Sequence, residues 1–169
     1  MLAVQECFPT AKAKINQGTI QRGARGTADM TQSFEELTTR QLGTFGEDFV
    51  AEMLEDQGWE VIARNERVGR YELDLIAEDA DGKLHFVEVK TRRSSRSSQF
   101  GDGREAITAA KLRHLRKAVA QWLSESSTYW LGAVVIDCAE VTVSSPSPSP
   151  PVVVVTYIPA ICDTTMWDC

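Results

Sequence analysis

The sequence predicts an α/β domain, and three observations carry that expectation. Apolar residues recur at helical spacing from Leu42 until Gly58 closes the segment. Two strands of alternating character, YELDLIA and LHFVEVK, follow and are joined by the Asp-Gly turn of EDADGK. A second amphipathic helix then precedes two further apolar strands. Helices that alternate with strands bury their apolar stripes by packing on a sheet.

In the first helix Leu42, Phe45, Phe49, Val50, Met53 and Leu54 form one apolar stripe. Trp59 to Arg64 reads as a short strand, and Asn65 to Arg70 holds the Asn and Gly of a turn. Along YELDLIA, strict alternation puts Tyr71, Leu73, Leu75 and Ala77 on one face and Glu72, Asp74 and Ile76 on the other. Along LHFVEVK the same rule groups Leu84, Phe86, Glu88 and Lys90, with His85, Val87 and Val89 opposite. Residues 92 to 103 are rich in Ser, Arg and Gly and read as a loop. Thr108 is a good N-cap for the second helix, which runs to Leu123 and buries Leu115, Val119 and Trp122. The last two strands are Leu131 to Val143 and Val152 to Ile158, parted by the Pro/Ser-rich insert 144–151, an exposed extended loop.

This divides the chain into a flexible extension, 1–32, a domain over 33–160 and a tail, 161–169. Met30 could serve as the translation start. At 169 residues, with 43% hydrophobic and 25% charged residues, the chain suits one ordinary globular core. No stretch approaches the roughly 20 apolar residues of a membrane span, and the N-terminus lacks the apolar centre of a secretory signal, so the expected place is the cytoplasm, with no membrane partner. Cys7, Cys138, Cys162 and Cys169 are widely spaced without a Cys-x-x-Cys pair, which argues against a zinc or thioredoxin-type site. Reduced thiols are expected, although an even count permits disulfides.

The net charge of -6 hides a segregation along the chain. Acids crowd residues 47 to 88, whereas Arg92, Arg93, Arg96, Arg104, Lys111, Arg113, Arg116 and Lys117 follow in a basic run. Two strands joined by a tight turn bring Asp74 and Glu88 near one another in apolar surroundings. Burying carboxylates is costly unless they are paired or bind a cation. One reading is an ion pair at the sheet edge, with Lys90 as the local partner. The other is a site for a hard divalent cation that prefers oxygen ligands, with Lys90 acting on an attacking water. His-based nucleophilic catalysis does not fit, since His85 points away from the Glu88 face and His114 lies on a basic helix.

The segments GTFGEDFVAEML, ELDLIA and FVEVKTR, in that order and spacing over residues 41–123, resemble the YraN-like family of bacterial proteins. The resemblance implies a restriction-endonuclease-like fold of the PD-(D/E)XK superfamily, a mixed central sheet flanked by helices. It further implies that Asp74, Glu88 and the helical acid Glu47 hold Mg2+ or Mn2+ and that Lys90 acts on the water. Phe100-Gly101, Thr108 and Lys111 also match. Lys111 is either a phosphate contact or a lysine covering the core edge, and Arg92, Arg93 and Arg96 are candidates for contacts to the nucleic-acid backbone. Three places depart from the family pattern: Tyr71 stands where Gly is usual, Gly132-Ala133-Val134 where Arg-Phe-Asp is expected, with Asp137 a few residues on, and the last strand lacks the usual ending.

The expected function is therefore metal-dependent hydrolysis of phosphodiester bonds in DNA or RNA. A nucleic-acid-binding protein that keeps the nuclease fold without catalysis, or an interaction protein using the Pro/Ser insert, are the alternatives.

Overall fold

The computed structural model describes residues 18–23, 34, 36–94, 107–126, 133–144 and 152–163. Their order is β1 (Gly18–Gly23), α1 (Thr39–Asp56), β2 (Glu60–Val68), β3 (Tyr71–Glu78), β4 (Leu84–Arg93), α2 (Ala109–Glu125), β5 (Val134–Ser144) and β6 (Val152–Asp163). The strands form one sheet in the order β1-β6-β5-β4-β3-β2. β4 and β5 are parallel, joined through α2, and every other pair is antiparallel, so the expected mixed sheet flanked by helices is present.

Local chemistry explains the boundaries. Thr38 and Gln41 form a capping box at the start of α1, the Thr38 hydroxyl accepting from Gln41 N–H. The helix ends in a Schellman arrangement, in which Gly58 N–H donates to Glu55 and Trp59 N–H to Leu54. Gly58 takes φ +82°, the left-handed conformation that motif requires. β2 runs past the expected turn, because Asn65 is accommodated within the strand at φ +50° and the chain reverses instead at Gly69-Arg70.

Adjacent strand residues part to opposite faces of the sheet. Val87 and Val89 join Val50, Ala51, Met53 and Leu54 of α1 in one core, while Leu84 and Phe86 join Leu115, Ala118 and Val119 of α2 in the other. The β4 alternation is as expected. β3 is different: Leu75 and Ala77 lie in the α1 core, but Leu73 and Tyr71 pack with the α2 core, so Tyr71, Leu73, Leu75 and Ala77 do not share one face. β3 pairs with β4 only from Leu75 to Glu78, and its first half peels away.

Two boundaries also shift. Residues 18–23, inside the segment expected to be a flexible extension, form an edge strand paired with β6 over Val152–Tyr157. β6 continues to Asp163 rather than ending near Ile158. The Pro159 break is absorbed by an irregularity opposite Asp137, where Ala160 adopts φ +50°. The Pro/Ser insert beyond Ser144, the Arg-rich loop with Arg96 and Phe100-Gly101, and Cys7 and Cys169 lie outside the described residues; Cys138 is a buried free thiol, and Cys162 is buried. Among the described residues no helix is long and apolar enough to cross a membrane.

Candidate metal centre

The peeling of β3 from β4 builds the site. Past Leu75 the backbone ladder stops, and the Asp74 carboxylate takes over, accepting the Val89 N–H at 2.8 Å. Glu88 projects from the adjoining position of β4 toward α2. Thr108 caps α2 by accepting the Lys111 N–H at 3.1 Å, which anchors that residue in the first turn. Lys111 Nζ reaches Glu88 Oε1 at 2.8 Å.

Lys111, not Lys90, is thus the ion-pair partner of Glu88, which corrects the expectation of a local pair within β4. Lys90 is exposed and makes no ion pair among the described residues, although its charge acts on both Asp74 and Glu88. The other Glu88 oxygen, Oε2, is buried and has no hydrogen-bond partner among the described residues.

Glu47 comes from the opposite side, on α1. Its neighbour Gly46 is packed so closely on β4 that a Cβ there would collide with the Thr91 hydroxyl. This contact sets Glu47 beside Asn65, which hydrogen-bonds it, and within electrostatic reach of Asp74. Among the described residues, however, no three His, Cys, Asp or Glu side chains are gathered into a set that could hold a metal ion. Glu47 thus faces Asp74 from α1 without being gathered with Asp74 and Glu88 into one such set.

Burial raises the Glu88 carboxyl to about 7, helped by the negative charge of Asp74 and opposed by Lys111 and Lys90. Asp74 is also raised, chiefly by burial, against the Val89 hydrogen bond. Glu47 is raised by burial and by Asp74. A carboxyl whose folded value exceeds its unfolded one contributes stability that is fully present below the unfolded value and lost as pH rises through the folded value. Without divalent metal, the melting temperature should accordingly fall between pH 4.5 and about 7, the interval bounded by the ordinary and shifted values of Glu88. Glu88→Gln should remove much of that fall, as read by thermal melts in chelator at pH 5 and 8. An unchanged slope in the variant would mean that Glu88 is not the strained group.

The basic residues after β4 are partly committed elsewhere. The Arg93 guanidinium donates to the backbone carbonyls of Phe34 and Leu37, fastening the segment that leads into α1. Arg93 is therefore committed to these carbonyls. Arg92 Nε lies 3.4 Å from Glu140 Oε1, with half of its side chain exposed. Of the residues expected to touch phosphate, Lys111 lies at the carboxylates.

A second polar cluster, which the sequence reading did not assemble, lies on the α1 face. Asp137, with 0% exposure, accepts from Tyr157 OH at 2.7 Å and from Ala160 N–H at 2.6 Å. Its Oδ2 lies 2.6 Å from His85 Nδ1, and His85 Nε2 lies 3.3 Å from Asp79 Oδ2. His85 indeed faces away from Glu88. The signal available in the sequence was a lone Asp in the apolar run VVIDCAEV, since a buried acid demands partners.

Fold and site together define an α/β protein with a carboxylate pair at a split in its sheet and two lysines beside it. The sequence profile of the uncharacterised protein family UPF0102 matches residues 46–141, more than half of the chain, and the chain belongs to that family, the YraN-like one. The match takes in most of β5, beyond the motifs that carried the resemblance. A UPF0102 protein of Bifidobacterium longum is 42% identical over 87 residues, covering 52% of this chain and 68% of that one. One from Rhodococcus opacus is 46% identical over 89 residues, covering 53% and 72%. Among solved structures, SfsA of Pyrococcus furiosus in complex with Ca2+ is similar at a TM-score of 0.36 and 15% identity, over 71% of this chain and 64% of that one, a likeness too partial to assign fold or activity.

Proposed function

We propose that the protein is a metal-dependent nuclease that hydrolyses phosphodiester bonds in nucleic acid, with Mg2+ or Mn2+ held by Asp74 and Glu88. The observation that carries this reading is the buried Glu88 Oε2, without a hydrogen-bond partner among the described residues, beside Asp74. An orphaned carboxylate oxygen is costly, and a bound cation would relieve it. The donors are all oxygens, and two carboxylates suffice for magnesium, which keeps several waters and completes its shell with substrate phosphate. When bound, the ion supplies charge stabilisation to the phosphoryl oxygens and lowers the pKa of its water.

The chain's own residues do the rest. Val89 N–H holds the Asp74 carboxylate in one orientation. Lys111 keeps Glu88 in place and adds positive charge where a phosphate would approach. Lys90, exposed and without an ion-pair partner among the described residues, orients the attacking water and offsets the charge that builds on the phosphoryl group. Glu47, held by Asn65 on the α1 side and facing Asp74, would add a third carboxylate on that side of the ion.

A non-catalytic nucleic-acid module is the second reading, favoured by the Lys111 ammonium already bonded to Glu88 Oε1 and by the absence of a third ligand among the described residues. A cleavage panel of duplex, single-stranded and branched substrates with magnesium, manganese or chelator separates the two. The nuclease reading expects metal-dependent cuts that vanish in Glu88→Ala. Binding without cleavage under every metal condition would favour the second reading.

A further inference from the structure

Beside the carboxylate pair opens a cavity of about 270 Å³, lined by Arg70, Tyr71, Asp74, Lys111, His114 and Leu115. It shares Asp74 and Lys111 with the candidate metal centre and extends from them along the hairpin start of β3 and the first turns of α2. Its walls carry rings and cations together. The Arg70 guanidinium stands 5.1 Å over the Tyr71 ring and donates to the Tyr71 hydroxyl at 3.0 Å. The His114 ring lies 5.8 Å from the same ring, tilted by 40°.

Tyr71 is half-buried, and it packs on the α2 core because β3 has peeled from β4. Arg70 and His114, which contact its ring, are exposed.

The size and chemistry select the occupant. The volume falls just below the roughly 300 Å³ at which pockets begin to enclose drug-sized ligands, which leaves room for a single base. Aromatic rings flanked by cations stack bases with little regard to sequence. Glu72 also lines the cavity, and its carboxylate would repel a phosphate but accept from a base amino group. The backbone phosphate then falls to Arg70 and Lys111.

We propose that this cleft takes one unpaired base, stacked on Tyr71, so that the preferred substrate has single-stranded character next to the scissile bond. The cleavage part of the statement rests on the nuclease reading; the binding part does not.

The test uses the full chain in chelator, where no cutting occurs, and a single-stranded oligonucleotide carrying 2-aminopurine. Wild type should bind it and quench its fluorescence, and should bind a blunt duplex of the same length less tightly. Tyr71→Ala should weaken single-strand affinity at least about fivefold and lose the quench, whereas Tyr71→Phe keeps both. Should Tyr71→Ala not fold, Arg70→Ala, at an exposed position, is expected to weaken binding about threefold. Equal affinity of wild type and the Tyr71→Ala or Arg70→Ala variant for the single strand, or tighter wild-type binding of the duplex, overturns the inference. A parallel magnesium digest keeps the two ideas apart: cleavage that survives in Glu88→Ala defeats the nuclease reading and leaves the cleft intact.

Discussion

Lys90→Met should leave the fold and the metal affinity nearly unchanged while reducing phosphodiester hydrolysis by at least about a hundredfold, the scale of lost acid-base or charge assistance. The structure sharpens this expectation. A lysine that closed a buried ion pair would cost about 3 to 5 kcal/mol when removed. Lys90 closes none among the described residues: it is exposed, and Glu88 is held by Lys111 instead. Its substitution should therefore shift stability by no more than about 0.5 kcal/mol, as surface changes do. Lys111→Met is the contrasting variant. It removes the partner of a mostly buried carboxylate, so it should destabilise the protein in chelator and raise the Glu88 carboxyl further. Denaturant unfolding and a single-turnover cleavage assay distinguish the two lysines. A Lys90→Met protein that unfolds early would contradict the assignment, and so would one that cleaves like wild type.

The largest stability effect should come from the other face of the sheet. Asp137→Ala strips acceptors from Tyr157 OH, Ala160 N–H and the His85 ring at once, all in a fully buried place. Each orphaned donor costs about 1 to 3 kcal/mol, and breaking a buried charged network costs about 3 to 5 kcal/mol. A loss of at least about 3 kcal/mol in the unfolding free energy is expected from denaturant titration. It should be independent of divalent metal, because Asp137 and Glu88 lie on opposite faces. Asp137→Asn retains one acceptor oxygen and should fall between wild type and Asp137→Ala. A mild, metal-dependent effect would instead tie Asp137 to the carboxylate site.

Much of this architecture was legible because it depends on short-range rules. The Thr108 cap, the Gly58 terminus and the strict alternation of β4 are set by neighbours a few residues apart, and each stands in the structure. The position of Glu88 on the α2 face followed from the same alternation. What was missed depends on partners far apart in sequence. Alternation in β3 fails at Asp74 because the hairpin to β2 continues while the pairing with β4 stops, and no local pattern announces that split. Glu88 was matched to Lys90 by proximity in the chain, but a side chain two residues along a strand is not as well placed as Lys111, brought across by α2. Arg93 was grouped with the basic run by composition, and its carbonyl partners at Phe34 and Leu37 are visible only once the chain has folded back. β1 was hidden because six residues with little apolar character gain their order from the edge of β6.

The central claim is that Asp74 and Glu88 together hold a divalent cation, and calorimetric titration with manganese or magnesium tests it most directly. Wild type should bind with an affinity that rises with pH through about 7, as the Glu88 carboxyl ionises, and the metal should raise the melting temperature by mass action. The Asp74→Ala, Glu88→Ala double variant, verified as folded, should show no saturable heat. Equal affinity in the wild type and the double variant would contradict the account.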